Sequence, residues 1–247
     1  MRAFTLFSFL FLFSHQLLCD ENEYNIDRLD WEKSLKNNTP ISIVNLYGNV
    51  HIKKSNNDSF VFHAVTQNHK SRKSNAKLIV KTDKHQISLN IVFPNNTIIG
   101  KERADVAILV PKNIHLNITM DGDQLNAKKI NFPIKIISET TNINLSTSEK
   151  FDIFSKNGEL NLKLLGNSTK QSSKIQSHNG NIIVQYGESQ PYFDIISGKK
   201  VVSNSAQLLQ SKKQSKRTKF FNNSESSIQI KIVNDTGRII LINEHIN

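Results

Sequence analysis

A ten-residue pattern, Ile-x-Ser-x-x-Gly-x-apolar-x-apolar, recurs along the chain and limits what it can fold into. It is read as IISETTNINL from Ile136, IFSKNGELNL from Ile153 and IQSHNGNIIV from Ile175. Asn replaces Ser in IVNLYGNVHI from Ile43 and IVNDTGRIIL from Ile232, and weaker copies start at Ile118 and Ile195. Starts from 118 to 195 lie 17 to 22 residues apart, the range of solenoid coils. Apolar residues at the eighth and tenth positions alternate as in a strand with one buried face. Gly at the sixth position (Gly48, Gly158, Gly180, Gly237) predicts a structural turn with positive φ. The third position (Asn45, Ser138, Ser155, Ser177, Ser197, Asn234) has inward parity, where a small hydroxyl or amide bonds turn backbone or the next copy. Each copy therefore reads strand, turn, strand. No copy buries its own apolar face, so stacking of copies is required. The fold class expected is all-β, a single-stranded β-solenoid or β-helix-like stack of short strands. A β-sandwich of hairpins gives the same local alternation and is the alternative.

The chain also resembles the bacterial "putative adhesin" domain family of unknown function, of the LiaG-like type. The residues carrying the resemblance are NLYGNVHI (45–52), VAILVPKNIHLNI (106–118), SKNGELNL (155–162) and SHNGNIIV (177–184), within Ile41 to Ile242. The resemblance implies a β-solenoid-like fold in exported proteins and transfers no catalytic residue. The chain departs from the family pattern at Thr141, where Gly is expected, and in its interrupted C-terminal part.

Met1–Cys19 has the form of a secretory signal peptide, with Arg2 followed by the apolar run 3–13. Localisation to the periplasm or the cell surface follows. Leu18 before Cys19 argues against a lipoprotein, and no later segment spans a membrane as a helix. Residues 20–39 read as a lead-in, a short helix or loose segment holding Trp31. Residues 40–247 form the repeat domain, with a polar, basic, solvent-exposed insertion at about 203–227. The copy from Ile232 is expected to close the stack.

Cys19 is the only cysteine and ends the leader, which excludes disulfide frameworks, Cys-based zinc sites and Cys nucleophiles from the mature chain. The net charge of +11 reads first as a general lysine bias with solvated Lys faces, and alternatively as a fit to polyanionic surroundings. Lys212, Lys213, Lys216, Arg217 and Lys219 are the candidate polyanion contact, with Lys70, Arg72 and Lys73 nearby in character. The partners expected are a glycan, an anionic envelope polymer or lipid, or a protein, rather than nucleic acid.

A glycan-cleaving β-helix enzyme would group carboxylates on adjacent coils. The outward seventh position holds Asn49, Asn142, Glu159, Asn181 and Arg238; the fourth holds Leu46, Glu139, Lys156, His178 and Asp235. Neither column pairs carboxylates on neighbouring copies, so no catalytic residue is assigned, and Glu159 is the residue to test. The eight His residues are scattered, and Asp121-Gly122-Asp123 lacks the further oxygen ligands of a calcium loop. No metal or cofactor is expected. The sequence reads as an exported, non-enzymatic envelope protein, acting by binding or structurally.

Overall fold

The two halves of each copy form separate strands in separate sheets. The turn between them carries the chain from one sheet to the other. The computed structural model describes residues 24–36, 38–71, 75–83, 86–94, 102–166, 172–187, 191–204, 208–214, 217–222 and 229–244, with 208–214 and 217–222 described by backbone alone. The first strands are β1 (Tyr24–Ser34), β2 (Pro40–Asn45), β3 (Val50–Lys54), β4 (Ser59–His69), β5 (Lys77–Thr82), β6 (Ile87–Val92) and β7 (Arg103–Val110). Then come β8 (His115–Met120), β9 (Gln124–Ile130), β10 (Ile134–Ser138), β11 (Asn142–Thr147), β12 (Phe151–Ser155), β13 (Leu160–Leu164), β14 (Ser173–Ser177) and β15 (Ile182–Tyr186). The last are β16 (Tyr192–Ser197), β17 (Val201–Ser203), β18 (Leu208–Gln214), β19 (Arg217–Asn222), β20 (Gln229–Asn234) and β21 (Ile239–Asn243).

Two mixed sheets face each other across one apolar core, in a sandwich-like arrangement that does not close on itself. The first sheet has ten strands in the order β1-β4-β7-β3-β9-β11-β13-β15-β21-β17. The second has eleven, β18-β19-β16-β20-β14-β12-β10-β8-β2-β6-β5. Most neighbours are parallel and in register. Ile118, Ile136, Ile153, Ile175, Ile232 and Ile195 form one inward column, each paired with the next. Leu145, Leu162, Val184 and Leu241 form another in the opposite sheet. All are buried, and each contributes about 1.5–3 kcal/mol relative to exposure.

The order of stacking differs from the order of the chain at both ends. The copy from Ile232 does not close the stack. Its strands β20 and β21 insert between β14 and β16 and between β15 and β17. The physical reason is that every copy has the same apolar spacing, so any copy fits beside any other. The first copy is likewise internal: β2 lies between β6 and β8, and β3 between β7 and β9.

Antiparallel strands cover three of the four sheet ends; the fourth is β17, paired in parallel with β21. At one end β4 pairs with β7 and β1 with β4, while β5 pairs with β6. The segment expected as a lead-in therefore holds an integral edge strand. Its charges, Asp27, Arg28, Asp30, Glu32 and Lys33, suit an edge that must resist further pairing. Trp31 packs on Phe60, with ring centroids 5.8 Å apart. At the other end the basic segment is not a loose insertion: β18 and β19 form an antiparallel hairpin whose second strand pairs with β16.

Candidate functional site

The turns are held by a column of close backbone contacts. Gly48, Gly158 and Gly180 have φ of 110°, 117° and 122°, as the sixth position predicts. Gly237 does not adopt positive φ; Gly is required there by crowding instead, because a Cβ would lie 1.7 Å from the Gly180 carbonyl oxygen. Thr141 takes the corresponding place in its level without positive φ and is buried. The third-position side chains bond turn backbone or the adjacent level. Asn234 Nδ2 donates to the Gly180 carbonyl (2.9 Å), and Asn234 Oδ1 accepts from Gly237 N (3.0 Å). Ser177 Oγ donates to the Asn179 carbonyl (3.2 Å) and Ser197 Oγ to the Lys199 carbonyl (2.8 Å).

Outward-facing residues of the turns form columns too. Asn142 Oδ1 accepts from Glu159 N (2.9 Å), Asn181 Nδ2 donates to Glu159 Oε1 (3.3 Å), and Asn181 Oδ1 accepts from Arg238 N (3.1 Å). The fourth-position column holds a carboxylate pair that its reading from the strong copies missed. Asp121 of the weaker copy precedes Glu139 by one level, since Met120 pairs with Ser138. Asp121 Oδ1 accepts from the Thr140 amide (2.9 Å) and hydroxyl (2.8 Å), and Glu139 bonds Lys156 Nζ at 2.9 Å. That bond raises the Lys156 pKa, with the Asp121 charge adding to it. Further along, His178 Nδ1 lies 2.8 Å from Asp235 Oδ2. Beside this column an open depression of about 380 Å³ is lined by Ile137, Phe154, Glu139, Lys156 and His178 among others. Lys135 and Lys174 approach the Phe154 ring, at 5.7 and 5.2 Å from its centroid.

The outer face of the ten-stranded sheet carries a second depression, of about 320 Å³. Asn126, Asn144 and Asn161 stand on β9, β11 and β13 at paired positions. Asn144 Nδ2 donates to Asn126 Oδ1 (3.1 Å), and Asn161 Nδ2 donates to Asn144 Oδ1 (3.0 Å). Alongside this ladder β9 is bulged: Ala127 pairs with Leu145, but Ile130 pairs with Thr147. The bulge turns two successive lysines, Lys128 and Lys129, to solvent. Lys129 has φ of 56°, and its amide donates to Ser146 Oγ at 2.8 Å. Lys163 borders the same depression and pairs with Glu244 at 2.6 Å. His51 stands beside Asn126 in the same outward column. Burial lowers its pKa below 6.5; the Asp105 carboxylate opposes this, while Lys53 and Lys128 reinforce it.

The predicted polyanion residues lie elsewhere. Lys212 and Lys213 are on β18 and Arg217 and Lys219 on β19, with Lys212 opposite Lys219 and Gln214 opposite Arg217. Lys216, Arg72, Lys73 and the leader lie outside the described residues. Neither the asparagine ladder nor the bulge lysines were singled out in the sequence. Asn at the ninth position of three successive copies is the signal that marks the ladder, whereas no residue pattern announces the bulge. Among the described residues no three His, Cys, Asp or Glu side chains gather as metal ligands, and no helix is long and apolar enough to cross a membrane.

No family model and no curated protein matches the chain. Among solved structures, a putative cell adhesion protein from Clostridium sporogenes overlaps 88% of this chain and 100% of its own, at 15% identity and a TM-score of 0.47. A putative adhesin from Bacteroides fragilis overlaps 88% and 97%, at 11% identity and a TM-score of 0.34. A putative lipid binding protein from Parabacteroides distasonis overlaps 88% and 96%, at 9% identity and a TM-score of 0.24. At TM-scores below 0.5 these likenesses decide neither the fold nor what this chain binds.

Proposed function

We propose that the chain is an exported, non-enzymatic binding protein of the cell envelope, a β-solenoid of the LiaG-like adhesin type whose stacked copies present fixed columns of polar side chains. What carries the reading is the state of the carboxylates in the turn columns. Glu159 is held by Asn181, Glu139 by Lys156, Asp121 by Thr140 and Asp235 by His178. Acid–base hydrolysis needs two carboxyl groups facing one bond with separated proton affinities. Here each is committed to a neighbour that holds the stack together. The alternation of strands between two facing sheets, with parallel in-register neighbours, supports the solenoid reading. The test is incubation with a panel of neutral and acidic polysaccharides, reading released reducing ends. No turnover is expected; release that disappears in Glu159→Gln or Glu139→Gln overturns the reading.

A second reading, polyanion binding through the hairpin, is favoured by its register. Lys212 is paired with Lys219 in the strand register, and like charges at paired positions destabilise a strand pair. A polyanion relieves that repulsion. Replacing Lys212, Lys213, Arg217 and Lys219 by Gln is expected to reduce salt-sensitive retention on immobilised heparin. Unchanged retention rejects it.

A further inference from the structure

The outer face of the ten-stranded sheet, in and beside the depression, combines two features that the stack itself does not require. The first is the ladder of Asn126, Asn144 and Asn161. Each link uses one N–H and one acceptor lone pair, and an amide has two of each. The ladder therefore keeps donors and acceptors for a ligand while its side chains are fixed by one another. Its step is the strand spacing, about 4.8 Å, close to the advance of one pyranose ring along an extended polysaccharide. The second is the bulge. It places Lys128 and Lys129 side by side on one face, where regular alternation would bury one of them. Lys129 holds a left-handed backbone, which a residue other than Gly adopts only under strain. No described residue forms an ion pair with Lys128 or Lys129, whereas Lys163, on the far wall, is matched by Glu244.

We infer that this face binds an extended acidic polysaccharide, running along the stack with its sugar rings over Asn126, Asn144 and Asn161 and its anionic groups against Lys128 and Lys129. Directional amides at ring spacing favour a polysaccharide over a lipid surface, whose headgroups offer no fixed repeat. No Phe, Tyr or Trp lines the depression to stack a nucleobase. The inference rests on the reading of the chain as a non-enzymatic binding protein.

The experiment measures binding of polygalacturonate, neutral dextran and phosphatidylglycerol vesicles to the purified protein. The variants are Lys128→Gln with Lys129→Asn, Asn161→Leu, and the fourfold Gln hairpin variant. Asn at 129 accepts the left-handed backbone, and thermal melts verify that each variant is folded. The expected result is salt-sensitive binding of polygalacturonate but not dextran. The bulge pair should weaken it about tenfold or more, Asn161→Leu should weaken it less, and the hairpin variant should leave it unchanged. The inference is overturned by no binding of polygalacturonate, by binding of vesicles alone, or by loss confined to the hairpin variant. Cleavage of the polymer instead overturns the non-enzymatic reading, which is scored separately by reducing ends.

Discussion

Gly180 shows how tightly the levels approach. Its φ is 122°, and a Cβ there would lie 1.9 Å from the Gly158 carbonyl oxygen. Gly166 has φ of 62° but nothing within 4 Å. Gly180→Ala should therefore cost about 3–5 kcal/mol, through both strain and displaced backbone. Gly166→Ala should cost only about 1–2 kcal/mol, through strain alone. Urea titration of the two variants checks the difference, and equal losses would remove crowding as the cause. His51 makes a prediction with a sign. Its folded pKa lies below 6.5, so the unfolded chain takes up the proton first as pH falls. Stability from this group is present above 6.5 and lost as pH falls through 6.5 toward the lower folded value. His51→Gln should flatten the fall in melting temperature across that window. The apolar first, eighth and tenth positions and the hydroxyl or amide at the third position were legible, because one-face burial leaves a period that the residues themselves carry. The shift at His51 was not, because it comes first from burial in the assembled sheet, and then from Asp105 on β7 and Lys128 on β9, which strand pairing brings beside it.

At the scale of elements, the bulge in β9 and the terminal hairpin are the departures from the repeat. If Lys129 is kept for its side chain rather than its backbone, Lys129→Gly should stabilise the fold by about 1 kcal/mol, raising the melting temperature while weakening any anion bound there. A fall in melting temperature would show that the Lys129 side chain supports the strand. The hairpin β18–β19 covers the edge of β16. Removing residues 205–223 and joining the ends with a short Gly-Ser linker exposes that edge to pairing with other chains. Light scattering should then show association in place of the full-length chain's state. The hairpin was hard to see because Lys, Ser and Gln dominate it and mask its strand character. The strand β1 was obscured in the same way by its alternating charges. What gives both their place is the need of a parallel stack for covered ends, which belongs to the assembled sheets rather than to either segment.

The whole molecule depends on copies that are interchangeable in pattern but not in position. The repeat predicts that Ile175, Ile195 and Ile232 share one column, and they do. It does not predict their order, since identical apolar spacing makes each pairing equally good for the core. What distinguishes the observed order is detail at the turns: the bonds from Asn234 to Gly180 and from Arg238 N to Asn181. The shorter turn after Ser197 also matters, bringing Val201 level with Ile239. Continuous columns, including any ligand-binding face built on them, require this order to be right. The direct measurement is cysteine cross-linking in a Cys19→Ser background, using the outward positions Gln176, Val233 and Ile196, which pair in that sequence across β14, β20 and β16. Adjacent strands place Cα atoms about 4.8 Å apart, within disulfide range, while strands two apart are at about 10 Å and out of range. Under mild oxidation, Gln176→Cys with Val233→Cys and Val233→Cys with Ile196→Cys should each close a disulfide. Gln176→Cys with Ile196→Cys should remain reduced. The pair Val233→Cys with Ile196→Cys closes in either order and serves as the control; closure of the third pair, with the first open, would mean that the copies stack in chain order and would contradict the account.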